Sequence, residues 1–297
     1  MINFLLIILC ISLGMLITRI NIVPRDSYKG INVWLLNVAL PALALRYVPE
    51  IEWGFGTIIP AISPIIVWIG ANLFIGIYAK KARIDRATKT ALIVSCGLGN
   101  TAFLGFPMIS AFFGEENIQY AIVFDQMTFI LFSTMAVSLV LKTLSGGKIS
   151  PFFIVKKIFL FPTFLATITA LIVSPFLDYS IINPFLEKIL ATLSPLALFS
   201  IGMQMKFGNW HSELRNIIVS LSYKLLLAPL IIFAIVKFSG LDGMTGNITV
   251  FEAAMPAHIS ASLLASQYEL NPQLCNLIVG VGIIVSFVSS AIWWWVM

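Results

Sequence analysis

Apolar segments of about 20 residues recur along the whole chain, separated by short joints that contain charged residues, glycine or proline. As a helix, each segment is long enough to cross the roughly 30 Å of hydrocarbon in a bilayer. The pattern therefore predicts an all-α integral membrane protein with ten transmembrane helices. The predicted spans lie near residues 2–20, 31–49, 55–79, 90–113, 118–141, 158–178, 181–205, 214–236, 246–267 and 271–297.

Two of these spans contain sequence that is poorly suited to a continuous helix. Residues 97–114 of the fourth span read GLGNTAFLGFPMISAFFG, and the ninth span has Pro256 near its middle. Glycine and proline are the least favourable residues in a helix interior. Broken helix inside a bilayer is tolerated only where protein or a water-filled cavity satisfies the freed backbone groups. We therefore expect interruptions near Gly99 and Pro256, both at mid-depth in the membrane.

The chain also resembles itself at an offset of 154 residues. LNVALPALAL lies over LATLSPLALF, which aligns Pro41 with Pro195, and an E-x-N-x-Q pattern begins at Glu115 and again at Glu269. Because each half holds five spans, an odd number, the second half must enter the membrane in the opposite orientation. Inverted repeats with interrupted helices are typical of secondary transporters. The predicted repeats are residues 1–150, with spans one to five, and residues 151–297, with spans six to ten.

Composition and charge agree with a membrane protein that has no sizeable soluble domain. The chain is 59% hydrophobic and 10% charged, with a mean hydropathy of +0.99. A soluble domain carries about 25% charged residues. Basic residues collect in cytoplasmic joints, so we expect both termini outside and a multi-pass plasma membrane location, typical of a bacterial inner membrane. The topology also explains the net charge of +5 without a nucleic-acid partner. The basic residues expected inside are Arg19, Arg25, Lys29, Lys80, Lys81, Arg83, Arg86, Lys89, Lys142, Lys148, Lys156, Lys157, Lys206 and Arg215.

Small polar residues near the two breaks are candidates for binding an anion. A break exposes up to four backbone N–H groups, which carry roughly half a positive charge and attract anionic groups. Purely structural roles are left open as well. The prolines could do no more than kink their helices, Asn100 could be an interhelical hydrogen-bond partner, and His258 could be packed and neutral. The candidate substrate-binding residues are Asn100, Thr101, Pro107, Pro256, His258, Ser260 and Lys224.

Three ionisable residues inside predicted spans are candidates for a functional role, because a charge there is costly and usually faces a cavity or a partner. Asp125 lies in the fifth span, Lys224 in the eighth and Glu252 one turn before Pro256. In one interpretation, Asp125 and Lys224 form a structural ion pair. In the other, Lys224 attracts an anionic substrate, and Asp125 or Glu252 titrates or binds a coupling cation. The sequence leaves both interpretations open.

Several segments resemble the auxin efflux carrier family, which includes bacterial permeases for organic acids such as malonate and malate. They are GNTAFLGFPMISAFFG followed by YAIVFDQ, and also LNVALPALAL, SPLALFSIG, YKLLLAPL and AAMPAHISASLLASQYELNP, in family order across the whole chain. The resemblance implies two inverted five-helix repeats, with helices four and nine crossing at the substrate site. It also implies a scaffold of helices 1, 2, 6 and 7, often dimeric, interleaved with a mobile domain that moves like an elevator.

One position departs from the family pattern. Plant members have a second proline in helix nine where this chain has Ala261, the repeat counterpart of Pro107. A helix without that proline is expected to be less sharply broken in the second half.

The resulting hypothesis is a secondary transporter for a small organic anion, a mono- or dicarboxylate. Proton coupling, sodium coupling and uniport are all left open, and no other cofactor is expected. A bile-acid-type sodium symporter or a cation–proton antiporter is the alternative within transport, because both share the inverted-repeat plan. An intramembrane enzyme is a remote alternative, since the sequence has no H-E-x-x-H or G-x-S-x-G motif.

Overall fold

A computed structural model describes residues 2–24, 26–51, 54–145, 162–173, 176, 181–205, 211–241 and 243–297. The predicted boundary between the repeats, at residue 150, lies outside the described residues. So do five of the basic residues used to predict the topology: Arg25, Lys148, Lys156, Lys157 and Lys206.

The described residues form twelve α-helical segments, a separate 3₁₀ turn at Glu115–Asn117 and one isolated β-bridge. We number the segments in chain order: α1 Ile2–Arg19, α2 Tyr28–Glu50, α3 Phe55–Ala82, α4 Arg86–Gly97, α5 Thr101–Phe112, α6 Gln119–Thr143, α7 Pro162–Val173, α8 Asn183–Gln204, α9 His211–Ser239, α10 Met244–Ala253, α11 Ile259–Gln267 and α12 Pro272–Val296.

Six of the described helices are long and apolar enough to cross a membrane, namely α2, α3, α6, α8, α9 and α12. Large apolar side chains project outward from them, as at Leu73 on α3 and Val288 on α12. These features support a multi-pass helical membrane protein. The fourth and ninth predicted spans are each divided into two shorter helices, α4 with α5 and α10 with α11. The sixth predicted span, near 158–178, extends beyond the described residues, and the complete ten-span inverted repeat stays a prediction.

Wide helical turns precede three of the prolines inside these helices. A π-helical turn spans Leu35–Ala39 before Pro41, another spans Thr101–Gly105 before Pro107, and a third spans Ser222–Leu227 before Pro229. A proline ring clashes with the carbonyl four residues earlier and offers that carbonyl no N–H. Widening the preceding turn moves this carbonyl away and lets the helix continue. The prolines of α2 and α9 therefore reshape their helices without interrupting them.

The chain divides into two compact units. The first comprises Met1–Trp53, Ala102–Ile122 and Val155–Met205, and the second comprises Gly54–Thr101, Val123–Ile154 and Lys206–Met297. One of the borders between them along the chain falls at Thr101–Ala102, inside the fourth predicted span.

In the first unit, α1 and α8 pack closely because each has a glycine at their contact. A Cβ atom added to Gly14 would lie 2.2 Å from the carbonyl oxygen of Phe199, and one added to Gly202 would lie 2.2 Å from that of Ile11. Lipid tails are as apolar as the helices, so close backbone packing between small residues is a main source of helix association in membranes. The pair of glycines thus allows these two helices to pack closely.

In the second unit, three joints meet at one end. The Asp85 carboxylate accepts a hydrogen bond from the backbone of Thr88 at 2.9 Å and caps α4, and the bonds from Thr88 hold the pKa of Asp85 below its ordinary value. The Asn271 amide, at the start of α12, donates to the Thr88 hydroxyl and to the Glu213 carboxylate at the start of α9. With ten spans and both termini outside, all three joints are expected on the cytoplasmic side, and they do share one end of this unit. Which side of the membrane that end faces stays a prediction.

We expect Gly14→Ala to destabilise the first unit, because the added methyl group would overlap the backbone of α8. Overpacking of this kind typically lowers the free energy of unfolding by about 1–3 kcal/mol. The thermal unfolding midpoint of the detergent-purified protein measures the loss. Gly30→Ala is the matched control, because a Cβ atom there meets nothing within 4 Å. Equal midpoints for the two variants would contradict the proposed glycine contact.

Candidate functional site

The breaks of the two interrupted spans lie in the second unit and pair with each other there. After α4 ends at Gly97, Leu98 is extended, and Gly99 forms an antiparallel bridge with Ala257. The Asn100 N–H donates to the Pro256 carbonyl at 2.8 Å, and the His258 N–H donates to the Leu98 carbonyl at 3.1 Å. Backbone groups that the breaks release are thus satisfied by the opposite break, as a hydrocarbon environment requires.

The break in the ninth span is longer than the break in the fourth. It runs from Ala254 to His258, between α10 and α11, whereas residues 98–100 separate α4 from α5. Pro256 has no N–H with which to continue α10. His258 then starts α11 as its N-cap, with Nδ1 accepting a hydrogen bond from the Ser260 N–H at 3.0 Å. The expectation that Ala261 makes this half less sharply broken is therefore wrong; Ala261 lies within α11.

Lys224 extends to this crossing from the wide turn of α9. The residues on either side of Lys224 make hydrogen bonds that fix this turn. The Tyr223 hydroxyl donates to the Val67 carbonyl on α3 at 2.6 Å. The Trp293 indole on α12 donates to the Leu225 carbonyl at 2.9 Å, a carbonyl to which Pro229 has no N–H to donate. The Lys224 side chain, 1% exposed, donates from Nζ to the Ala253 carbonyl at 2.9 Å, where α10 ends.

Gly99 allows this close approach. A Cβ atom at residue 99 would lie 3.3 Å from Nζ of Lys224 and 3.6 Å from the carbonyl oxygen of Glu252. The sequence indicated Gly99 only as part of the break, and nothing in it showed that a lysine from another span would lie against this residue.

Asp125 and Lys224 do not form the ion pair that one interpretation of the sequence suggested. Instead, the Asp125 carboxylate accepts a hydrogen bond from the Thr101 hydroxyl at 2.5 Å. That interpretation is wrong, because each of the two charged groups has a different polar partner on the broken helices. This hydrogen bond connects Thr101 to α6.

Glu252 and Asn100 carry buried polar atoms without a hydrogen-bond partner. Glu252 is fully buried, and neither of its carboxylate oxygens has one; the same holds for Nδ2 of Asn100, which is 1% exposed. Glu252 interacts electrostatically with Asp125 and Lys224. Because unsatisfied buried polar groups are costly, these atoms are the strongest indication of where a ligand or an ion binds.

The remaining candidates are placed as follows. The His258 ring stacks on Phe132, with 5.6 Å between the ring centroids, and Ser260 lies in the first turn of α11. Pro107 belongs to the first unit and is buried in α5. The structure therefore brings Asn100, Pro256, His258 and Lys224 to one crossing, with Thr101, Asp125 and Glu252 beside it. No group of three or more His, Cys, Asp or Glu side chains among the described residues is placed to hold a metal ion.

A cavity of about 400 Å³ lies elsewhere, in the first unit. Tyr47, Glu115 and Glu187 are among its lining residues. None of the candidate substrate-binding residues lines this cavity, so we do not place the candidate site there.

A helical membrane chain with two interrupted helices that pair within one unit has the architecture of a transport protein. The profile of a family described as membrane transport protein matches residues 1–294. The chain belongs to this family, which confirms the resemblance to auxin efflux carriers. An uncharacterized transporter of Methanothermobacter thermautotrophicus is 25% identical over 97% of this chain and 95% of its own length. Another, from Methanocaldococcus jannaschii, is 25% identical over 99% of this chain and 97% of its own length.

We predict that Thr101→Val destabilises the second unit by about 1–3 kcal/mol, because it leaves the buried Asp125 carboxylate without its hydrogen bond. Thermal unfolding of the purified variant measures the change. The matched control is Thr128→Val, since the buried Thr128 hydroxyl bonds only to the Phe124 carbonyl of its own helix. If both variants unfold at the same temperature, the Thr101–Asp125 contact is not the stabilising one.

Proposed function

We propose that this chain is a secondary transporter that moves a small organic anion, a mono- or dicarboxylate, by elevator-type alternating access. The observation that carries the proposal is the backbone pairing of the two breaks at Gly99 and Ala257, with an unpartnered amide donor of Asn100 beside it. A carboxylate is the kind of ligand that such donors recognise.

The binding groups come from both broken helices. Nδ2 of Asn100 is available to donate to a carboxylate oxygen. When His258 is neutral, its Nδ1 is the acceptor of the Ser260 N–H, so the proton lies on Nε2, which can donate to the same ligand. The start of α11 adds the positive end of a helix dipole, with Ser260 in its first turn.

Each of the candidate residues has a different proposed role. Pro256 shapes the break, and Pro107 shapes α5 in the first unit. Lys224 offsets the negative charge of the buried carboxylates, which would otherwise repel an anion. Thr101 fixes Asp125, and Glu252 is a buried carboxylate that can carry a coupling proton.

The alternative within transport is a sodium symporter of the bile-acid type or a cation–proton antiporter. The buried carboxylates of Asp125 and Glu252 favour it, since such groups bind coupling cations in many transporters. In the organic-anion proposal these carboxylates serve coupling and not substrate recognition.

The division of the chain supports the elevator part of the proposal. The first unit includes α1, α2, α7 and α8, the spans expected in a scaffold, together with most of α5 and the start of α6. The second unit includes α3, α4, most of α6, and α9 to α12. Residues that would bind the anion, apart from Pro107, belong to the second unit and could move with it.

The test is transport by the purified protein in liposomes, with labelled mono- and dicarboxylates offered under imposed proton or sodium gradients. We expect at least one carboxylate to be accumulated above empty liposomes. Exchange of a cation without movement of any carboxylate would favour the antiporter instead.

Asn100→Asp should lower anion binding by about tenfold or more, because it replaces the amide donor with a charge that repels the ligand. Binding is measured by equilibrium dialysis with the carboxylate that the liposome panel identifies. Asn117→Asp makes the same chemical change in the joint between α5 and α6 and should leave binding unchanged. If the two variants bind equally well, Asn100 is not part of the site.

A further inference from the structure

The ammonium group of Lys224 lies where a transporter of this architecture would hold a cation. Nζ donates to the Ala253 carbonyl at 2.9 Å, at the last residue of α10. The C-terminal end of a helix carries about half a negative charge. In transporters with broken helices, such ends and unwound carbonyls coordinate the coupling sodium ion or proton. Lys224 thus occupies a position with the chemistry of a cation site.

The Lys224 side chain is fixed at this position by its surroundings. The hydrogen bonds of Tyr223 to α3 and of Leu225 to Trp293 fix the turn on both sides of Lys224. In the facing break of the fourth span, Gly99 leaves just enough space, since a methyl group there would lie 3.3 Å from Nζ. A second cation therefore has little room at the Ala253 carbonyl while the ammonium group is present.

The charges of the buried residues also indicate that Lys224 takes the place of a bound cation. Lys224, Asp125 and Glu252 are buried close enough for Glu252 to interact electrostatically with both of the others. With all three ionised, the group has a net charge of −1, and without Lys224 it would have −2. Removing one member of a buried group of charges leaves the others uncompensated, which is strongly unfavourable in a membrane.

We propose that the Lys224 ammonium group is a built-in cation that takes the place of a sodium ion at the end of α10, so that this transporter does not bind sodium there. The inference rests on the proposed transport function, because it concerns which ion can be coupled to substrate movement. It leaves Glu252, whose oxygens have no hydrogen-bond partner, as the group on which a coupling proton would be carried.

The experiment compares thermal unfolding of detergent-purified protein in sodium chloride with unfolding in equimolar choline chloride. The wild type should unfold at the same temperature in both. Lys224→Met should acquire a sodium site, so sodium should raise its midpoint by about 4 °C or more, because an ion that binds the folded state stabilises it. Lys224→Arg, which keeps a cation of similar reach, is the control and should not respond to sodium.

Two results would overturn the proposal: a sodium-specific rise for the wild type, or a folded Lys224→Met variant that does not respond to sodium. If Lys224→Met does not fold in either salt, the double variant Lys224→Met with Glu252→Gln decides. Recovery of folding in the double variant supports a charge-balancing role for Lys224, and continued failure to fold contradicts it. Neither measurement uses an organic anion. A failure here therefore leaves the proposed function intact. Failure of the carboxylate panel would remove the coupling role but leave the conclusion that Lys224 excludes sodium from the end of α10.

Discussion

The requirement that every backbone N–H and C=O group find a partner inside a bilayer governs the second unit of this protein. Breaking two helices releases such groups where water is scarce, and each unmet group costs free energy. The chain solves the problem by placing one break against the other, so that Asn100 bonds to Pro256 and His258 bonds to Leu98. Neither break would be stable alone. The crossing is therefore a single structural element made from two distant parts of the sequence.

The same requirement explains how charged groups come to lie there. Where α10 ends, the Ala253 carbonyl has no helical partner, and the Lys224 ammonium group supplies one. The Thr101 hydroxyl does the same for the Asp125 carboxylate. Among the candidate site residues that the structure describes, Glu252 and the amide of Asn100 keep unpartnered atoms. The site thus consists of many satisfied groups that give it rigidity and a few unsatisfied ones that are available for chemistry.

Sequence reasoning located the features that depend on local composition. Long apolar stretches indicated α2, α3, α6, α8, α9 and α12, and glycine and proline indicated the breaks at Gly99 and Pro256. Family membership followed from segments in a fixed order. The hydrogen-bond partners of the buried side chains could not be predicted, because they depend on how helices far apart in sequence are rotated and aligned. Lys224 bonds to Ala253 rather than to Asp125 for that reason. Ala261 misled because His258, by capping α11, can end a break without a second proline.

The bond between Trp293 and the Leu225 carbonyl links sites that look unrelated along the chain. Because Pro229 has no N–H, the Leu225 carbonyl lacks a helical donor. The Trp293 indole, near the end of α12, supplies one. A residue with an N–H at position 229 would compete for the same carbonyl and leave the indole without an acceptor. The two positions should therefore change together among relatives, and a substitution at residue 293 would disturb the turn that carries Lys224. Distance from the crossing along the sequence is a poor guide to a residue's influence on it.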